Sequence, residues 1–198
     1  MALVGYFDEF LVVRGDQLTG NITVDLLNSS SYLLNFPVGW REITNLTERY
    51  QSSSGILTFV DNLGFLYGSQ EGIGCEDQDM TVITTDRITL TVRNVAQPAQ
   101  EDICFHDPGE EEQQSICFPG PSLKPNNCST FVSTFFSLEE EMVVIFPTTN
   151  KNILVNEKER MVNPYLIGLK IDNRSIELDE KLIQIEFQHE TMEVPCRS

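Results

Sequence analysis

The sequence predicts an α+β protein in which a small helical subdomain, residues 1–72, precedes an antiparallel β-sandwich subdomain, residues 73–198. Two observations carry this expectation. Apolar residues recur every three or four positions as far as about Ser69, and every two after Gly72. The strand-like segments also follow one another without long helices between them, which favours antiparallel over parallel pairing.

Leu3, Phe7, Phe10 and Leu11 make the first helical stripe. Residues 22–34 and 41–50 read as two weaker helices, separated by Phe36-Pro37 and Gly39. Leu57, Val60, Leu63, Phe65 and Leu66 form the next stripe, with Ser54 as its expected N-cap and Gly68 as its expected stop. Residues 80–93 then alternate through Ile88, Leu90 and Val92 and read as a strand. Residues 142–146, 165–171 and 181–188 read as three more. Residues 97–128 hold five prolines, the run Glu110-Glu-Glu112 and three cysteines, so a long Cys/Pro-rich surface excursion braced by disulfides is expected there.

Thirteen Lys and Arg against thirty Asp and Glu give a net charge of -17, which argues against binding nucleic acid or anionic lipid. The longest purely apolar run is Met142 to Phe146, far short of the roughly 20 residues a membrane helix needs. The N-terminal stretch carries Asp8 and Glu9 and lacks both a basic start and a cleavage site, so it does not read as a signal peptide.

Cys75, Cys104, Cys117, Cys128 and Cys196 contain no Cys-x-x-Cys pair, and His106 and His189 are the only histidines. That spacing disfavours zinc and favours two disulfides among the first four cysteines, with Cys196 lacking a partner. Cys104 and Cys117, thirteen apart, are one candidate pair. Sequons begin at Asn21, Asn28, Asn45, Asn127 and Asn173, where chance supplies about two in such a chain. Cysteines and sequons together point to an oxidising, secretory environment.

Other motifs yield to plainer readings. Residues 76–79, 110–112 and 139–141 are acidic but lack the ligand order of a calcium loop, and solvated surface accounts for them. Arg14-Gly15-Asp16 spells an integrin-binding tripeptide, yet Gly-Asp is ordinary turn chemistry. His106 beside Cys104 or Cys117 offers a Cys/His pair, against which a disulfide is the simpler use of the thiols. No catalytic, cofactor or metal residues are therefore assigned.

The C-terminal residues are more specific. Asn163-Pro-Tyr-Leu-Ile-Gly-Leu-Lys-Ile-Asp-Asn-Arg-Ser-Ile, then Leu182-Ile-Gln-Ile-Glu-Phe-Gln-His189 and Val194-Pro-Cys196, resemble the GAIN domain of adhesion G-protein-coupled receptors. The family runs N-S-x-V-I-(G/S)-x-x-I, a polar link, P-V-x-I-x-F-x-H, and a Cys that opens its proteolysis motif. Gly55-Ile-Leu-Thr-Phe-Val-Asp-Asn-Leu-Gly-Phe-Leu resembles the family's L-L-x-x-L-E-x-L-A helix. Pro164 replaces the usual Ser, and Lys181-Leu182 replaces Pro-Val.

The resemblance implies an extracellular juxtamembrane regulatory or adhesion module. Its partners would be protein or matrix ligands at the cell surface and, in a full receptor, its own agonist strand and seven-helix domain. The family's Trp, further cysteines and His-Leu-Ser/Thr cleavage site do not occur between Cys196 and Ser198, so this chain is expected to be a fragment without self-cleavage. Such a fragment would also leave part of the sandwich core uncovered. The alternative is a secreted or cell-surface disulfide-linked binding module unrelated to receptors.

Overall fold

The computed structural model describes residues 19–70, 80–95, 101–106, 115–119, 129–137, 165–171 and 184–186. Among these residues three helices come first: α1 (Gly20–Leu34), α2 (Pro37–Glu42) and α3 (Leu46–Gln70). Seven strands follow among the described residues: β1 (Met80–Thr84), β2 (Ile88–Val95), β3 (Ile103–His106), β4 (Ser115–Phe118), β5 (Ser129–Ser137), β6 (Tyr165–Ile171) and β7 (Gln184–Glu186). All pairings are antiparallel, in a four-stranded sheet ordered β1-β2-β5-β6 and a three-stranded sheet ordered β3-β4-β7. The expected helix at Leu3–Leu11 and strand at 142–146 lie outside the described residues.

The helix α1 buries Thr23, Leu27, Ser30, Ser31 and Leu34, spaced to share one face. Small hydroxyls can line that face because they find partners nearby. Thr23 Oγ1 donates to Thr19 O at 3.1 Å and Ser30 Oγ to Leu26 O at 3.0 Å. The Phe36-Pro37 break then begins a helix of its own. Pro37, which has no N–H to lose, opens α2, and the helix runs on through Gly39. Trp40 is buried and donates from Nε1 to Leu33 O at 2.8 Å, which satisfies a carbonyl in the last turn of α1.

Residues 41–50 and the Ser54 stripe are not two helices. The chain leaves α2 at Glu42, and α3 then runs unbroken for 25 residues. Ser54 lies within it rather than at its cap, and Gly68 does not stop it. The serines that suggested a boundary are accommodated inside the helix: buried Ser53 donates to Tyr50 O at 2.9 Å. Ile56, Phe59, Val60 and Leu63 press on the sheet, followed by Gly64 and Gly68 on the same face. A Cβ on Gly64 would meet Val132 Cγ1 at 2.5 Å, and one on Gly68 would meet Val92 Cγ1 at 2.7 Å. The two glycines therefore bring the helix backbone unusually close to the strands.

Residues 80–93, expected as one strand, fold back as the β1–β2 hairpin. Thr85 closes the turn, its N–H donating to Ile88 O at 2.8 Å and its Oγ1 accepting from Ile88 N at 3.0 Å. Arg87 ties this turn to the helices. Its N–H donates to Ser31 Oγ at 3.0 Å and its guanidinium reaches Asn35 Oδ1 at 2.8 Å, while its carbonyl accepts from Ser137 N.

Residues 103–106 and 115–118 correct the expected surface excursion. They pair as β3 and β4, and alternate residues Ile103, Phe105, Ile116 and Phe118 are buried. An apolar cluster joins them to Phe131 and Phe135 of β5, with Val95, Ile167, Leu169 and Ile171 packed around it. Phe131 sits between two rings, 6.2 Å from Phe105 and 5.8 Å from Phe118, centre to centre. A second cluster lies on the other face of the four-stranded sheet. There Leu27, Leu34, Trp40, Ile56, Phe59, Val60 and Leu63 meet Ile88, Leu90, Val92, Val132 and Phe136.

Candidate functional site

Two features outside the apolar clusters have specific chemistry. The first is a polar group where α3 crosses β5 and β6. Residues Thr134 and Gly168 are register partners, and Lys170 stands beside them on the same face of β6. Thr134 Oγ1 donates to Asp61 Oδ1 at 3.1 Å, and Lys170 Nζ donates to Asn62 Oδ1 at 2.6 Å. The Lys170 ammonium also lies 5.2 Å from the centre of the Phe65 ring.

Gly168 makes the space for this group. A Cβ there would fall 2.5 Å from Thr134 Oγ1 and 3.7 Å from Asp61 Oδ1. Burial pushes the Asp61 carboxyl above its ordinary value of 3.8, against the lowering effects of the Thr134 hydrogen bond and the Lys170 charge. This is a polar fastening between helix and sheet. Its hydroxyl–carboxylate pair, Thr134 and Asp61, joins the two elements, and among the described residues no three His, Cys, Asp or Glu gather to hold a metal.

The second feature is the disulfide between Cys104 and Cys117, which stand directly opposite each other on β3 and β4. Alternation turns both away from the buried face that carries Phe105 and Ile116. The sulfurs therefore brace the hairpin from outside while its aromatic and aliphatic residues enter the core. The exposed His106 ends β3 opposite Ser115 and does not join the cysteines. Cys75, Cys128, Cys196 and His189 lie outside the described residues, as do the acidic clusters and Arg14-Gly15-Asp16.

Of the five sequon asparagines, Asn21 and Asn28 are exposed on α1 and Asn45 is exposed just before α3, while Asn127 and Asn173 lie outside the described residues. The sequence did not reveal the group around Asp61, because its strand residues lie more than seventy positions from its helix residues along the chain. The available signal was Asp61-Asn62, two polar residues inside an apolar stripe.

Among the described residues no helix is long and apolar enough to cross a membrane. No family model matches the chain, and no curated protein matches it.

Proposed function

We propose that this chain is an extracellular, non-catalytic regulatory and adhesion module with the layout of a GAIN domain, helices followed by a β-sandwich. The observation that carries the reading is the disulfide between Cys104 and Cys117. Such bonds persist in oxidising compartments and are rare where glutathione keeps thiols reduced. The order of helices before antiparallel strands supports the layout, as do strands at Tyr165–Ile171 and Gln184–Glu186 within the stretches that resemble the family. The aromatic cluster shared by both sheets supports a sandwich.

In this reading the module presents surfaces to protein or matrix ligands outside the cell. In a receptor it would shield an agonist strand from the seven-helix domain. The disulfide spans a sequence separation of 13 and is worth about 3 kcal/mol through the unfolded chain, so it would help to hold a short hairpin closed.

Thiol counting on secreted chain, denatured without reductant, tests the reading. Cys104 and Cys117 should be protected, and a peptide map should recover them as one cross-linked species. Five reactive thiols would overturn it. Reading the gene beyond Ser198 tests the receptor assignment: a Trp, further cysteines, His-Leu-Ser/Thr and seven apolar segments are expected. A frame without them would leave a disulfide-linked binding module unrelated to receptors.

A further inference from the structure

The three described sequons differ in how the fold uses them. On α1, the hydroxyls belonging to Asn21 and Asn28 are those of Thr23 and Ser30, both buried and bonded to carbonyls in the preceding turn. The sequon Asn45-Leu46-Thr47 is exposed at all three residues and straddles the loop between α2 and α3. Its asparagine is already employed. Asn45 Oδ1 accepts from the backbone N–H groups of Thr47 at 3.0 Å and Glu48 at 3.3 Å, satisfying two donors that a helix start otherwise leaves open. Thr47 contributes only its backbone to that cap. The Asn45 amide nitrogen makes no hydrogen bond among the described residues.

The geometry points to Asn45 as an N-glycosylation site whose modified side chain still caps α3, a deepening that rests on the extracellular reading above. Oligosaccharide would come from a lipid-pyrophosphate-linked donor. The bond from the sugar's anomeric carbon to Asn45 Nδ2 forms as its bond to the pyrophosphate oxygen breaks. The amide gives up one proton and the lipid pyrophosphate leaves. An N-linked sugar replaces one of two hydrogens on Nδ2 and leaves Oδ1 with its lone pairs. Attachment and capping therefore use opposite ends of one amide. The sugar would stand at the start of the longest described helix, clear of the sheet-facing residues Ile56 and Phe59.

The full chain, secreted from animal cells behind a signal peptide, tests this with Asn45→Gln, Asn45→Asp and Thr47→Ala variants. Trypsin cuts after Arg41 and Arg49, so Asn45 lies alone among the sequons in one eight-residue peptide. Wild type should yield that peptide glycosylated, and all three variants should yield it bare. Melting should separate the two roles. Asn45→Asp and Thr47→Ala keep the cap and should melt with enzymatically deglycosylated wild type. Asn45→Gln holds its oxygen one methylene further out and should melt about 2–4 °C lower.

A bare wild-type peptide beside sugar at other sequons would overturn the assignment to Asn45 while sparing the extracellular reading. Asn45→Asp melting as low as Asn45→Gln would overturn the shared role. Bare peptides at every sequon together with five free thiols would overturn the extracellular reading as well.

Discussion

On one face of the four-stranded sheet, Gly64 and Gly68 let the α3 backbone down onto Val132 and Val92. On the opposite face, the Phe131 ring fills the gap to β3 and β4. A methyl added at either glycine of the helical face would meet a valine, and the polar group around Asp61 fastens that face at one side. The aromatic face is spaced by large rings and is not purely apolar. Thr91 Oγ1 and Ser133 Oγ, on residues paired across β2 and β5, are buried there without hydrogen bonds among the described residues. Two surfaces of one sheet thus fail in opposite directions: the first when volume is added, the second when it is removed.

The largest expected effect is on the aromatic face. Phe131→Ala removes a fully buried ring that touches two others, and should cost about 3–5 kcal/mol in urea unfolding. A loss below about 1 kcal/mol would mean that the rings repack and that the contrast between the faces is false.

On the helical face the informative change is Gly64→Ala. Alanine favours a helix by about 1 kcal/mol, yet its Cβ would collide with Val132 Cγ1, and such overpacking costs about 1–3 kcal/mol. The variant should therefore be less stable than wild type by about 1 kcal/mol. A more stable variant would show that α3 has room to move away from the sheet.

The smallest effect is expected at Asp61, and it depends on pH. Its carboxyl binds a proton more readily in the folded state than in the unfolded one, because burial disfavours the charge. Any stability contributed by this protonation is fully present below the ordinary value of 3.8 and is lost as pH rises through the raised folded value. In an Asp61→Asn variant the neutral amide oxygen can still accept from Thr134. The variant should match or exceed wild type at pH 7, with the difference closing as pH falls toward 3.8. Parallel melting curves across that range would show that Asp61 is effectively solvated.

The contrast between the faces also separates what was legible in the sequence from what was not. The alternation of Ile88, Leu90 and Val92 was readable because that segment sets an apolar face against a more polar one. Strand β5 carries no such signal. Phe131, Val132, Phe135 and Phe136 form two runs because both faces of this interior strand are buried, so no period of two survives.

β3 and β4 were hidden for another reason. Four residues each, set among prolines and acidic runs, they are too short to establish a rhythm, and only the opposition of Cys104 and Cys117 marks them. In α3, Ser52-Ser-Ser-Gly55 imitates a boundary locally. Tertiary packing of Ile56, Phe59 and Val60 carries the helix across it. The group around Asp61 was illegible because only the β5–β6 register brings Thr134 and Lys170 to the helix.

The position of β5 in the chain also bears on how the protein is made. Its neighbour β2 ends at Val95, whereas β5 ends at Ser137, 42 residues later, with the whole β3–β4 hairpin synthesised in between. At about 5–20 residues per second, a ribosome needs roughly two to eight seconds to cover that distance. For that interval β2 has its hairpin partner on one edge and no neighbour on the other. It is an open template carrying Ile88, Leu90 and Val92. The helices emerge first and can cover these side chains, but they cannot bond the strand's backbone. A chaperone that protects this nascent chain would have its task concentrated at one strand edge, and that task ends when Ser137 clears the exit tunnel.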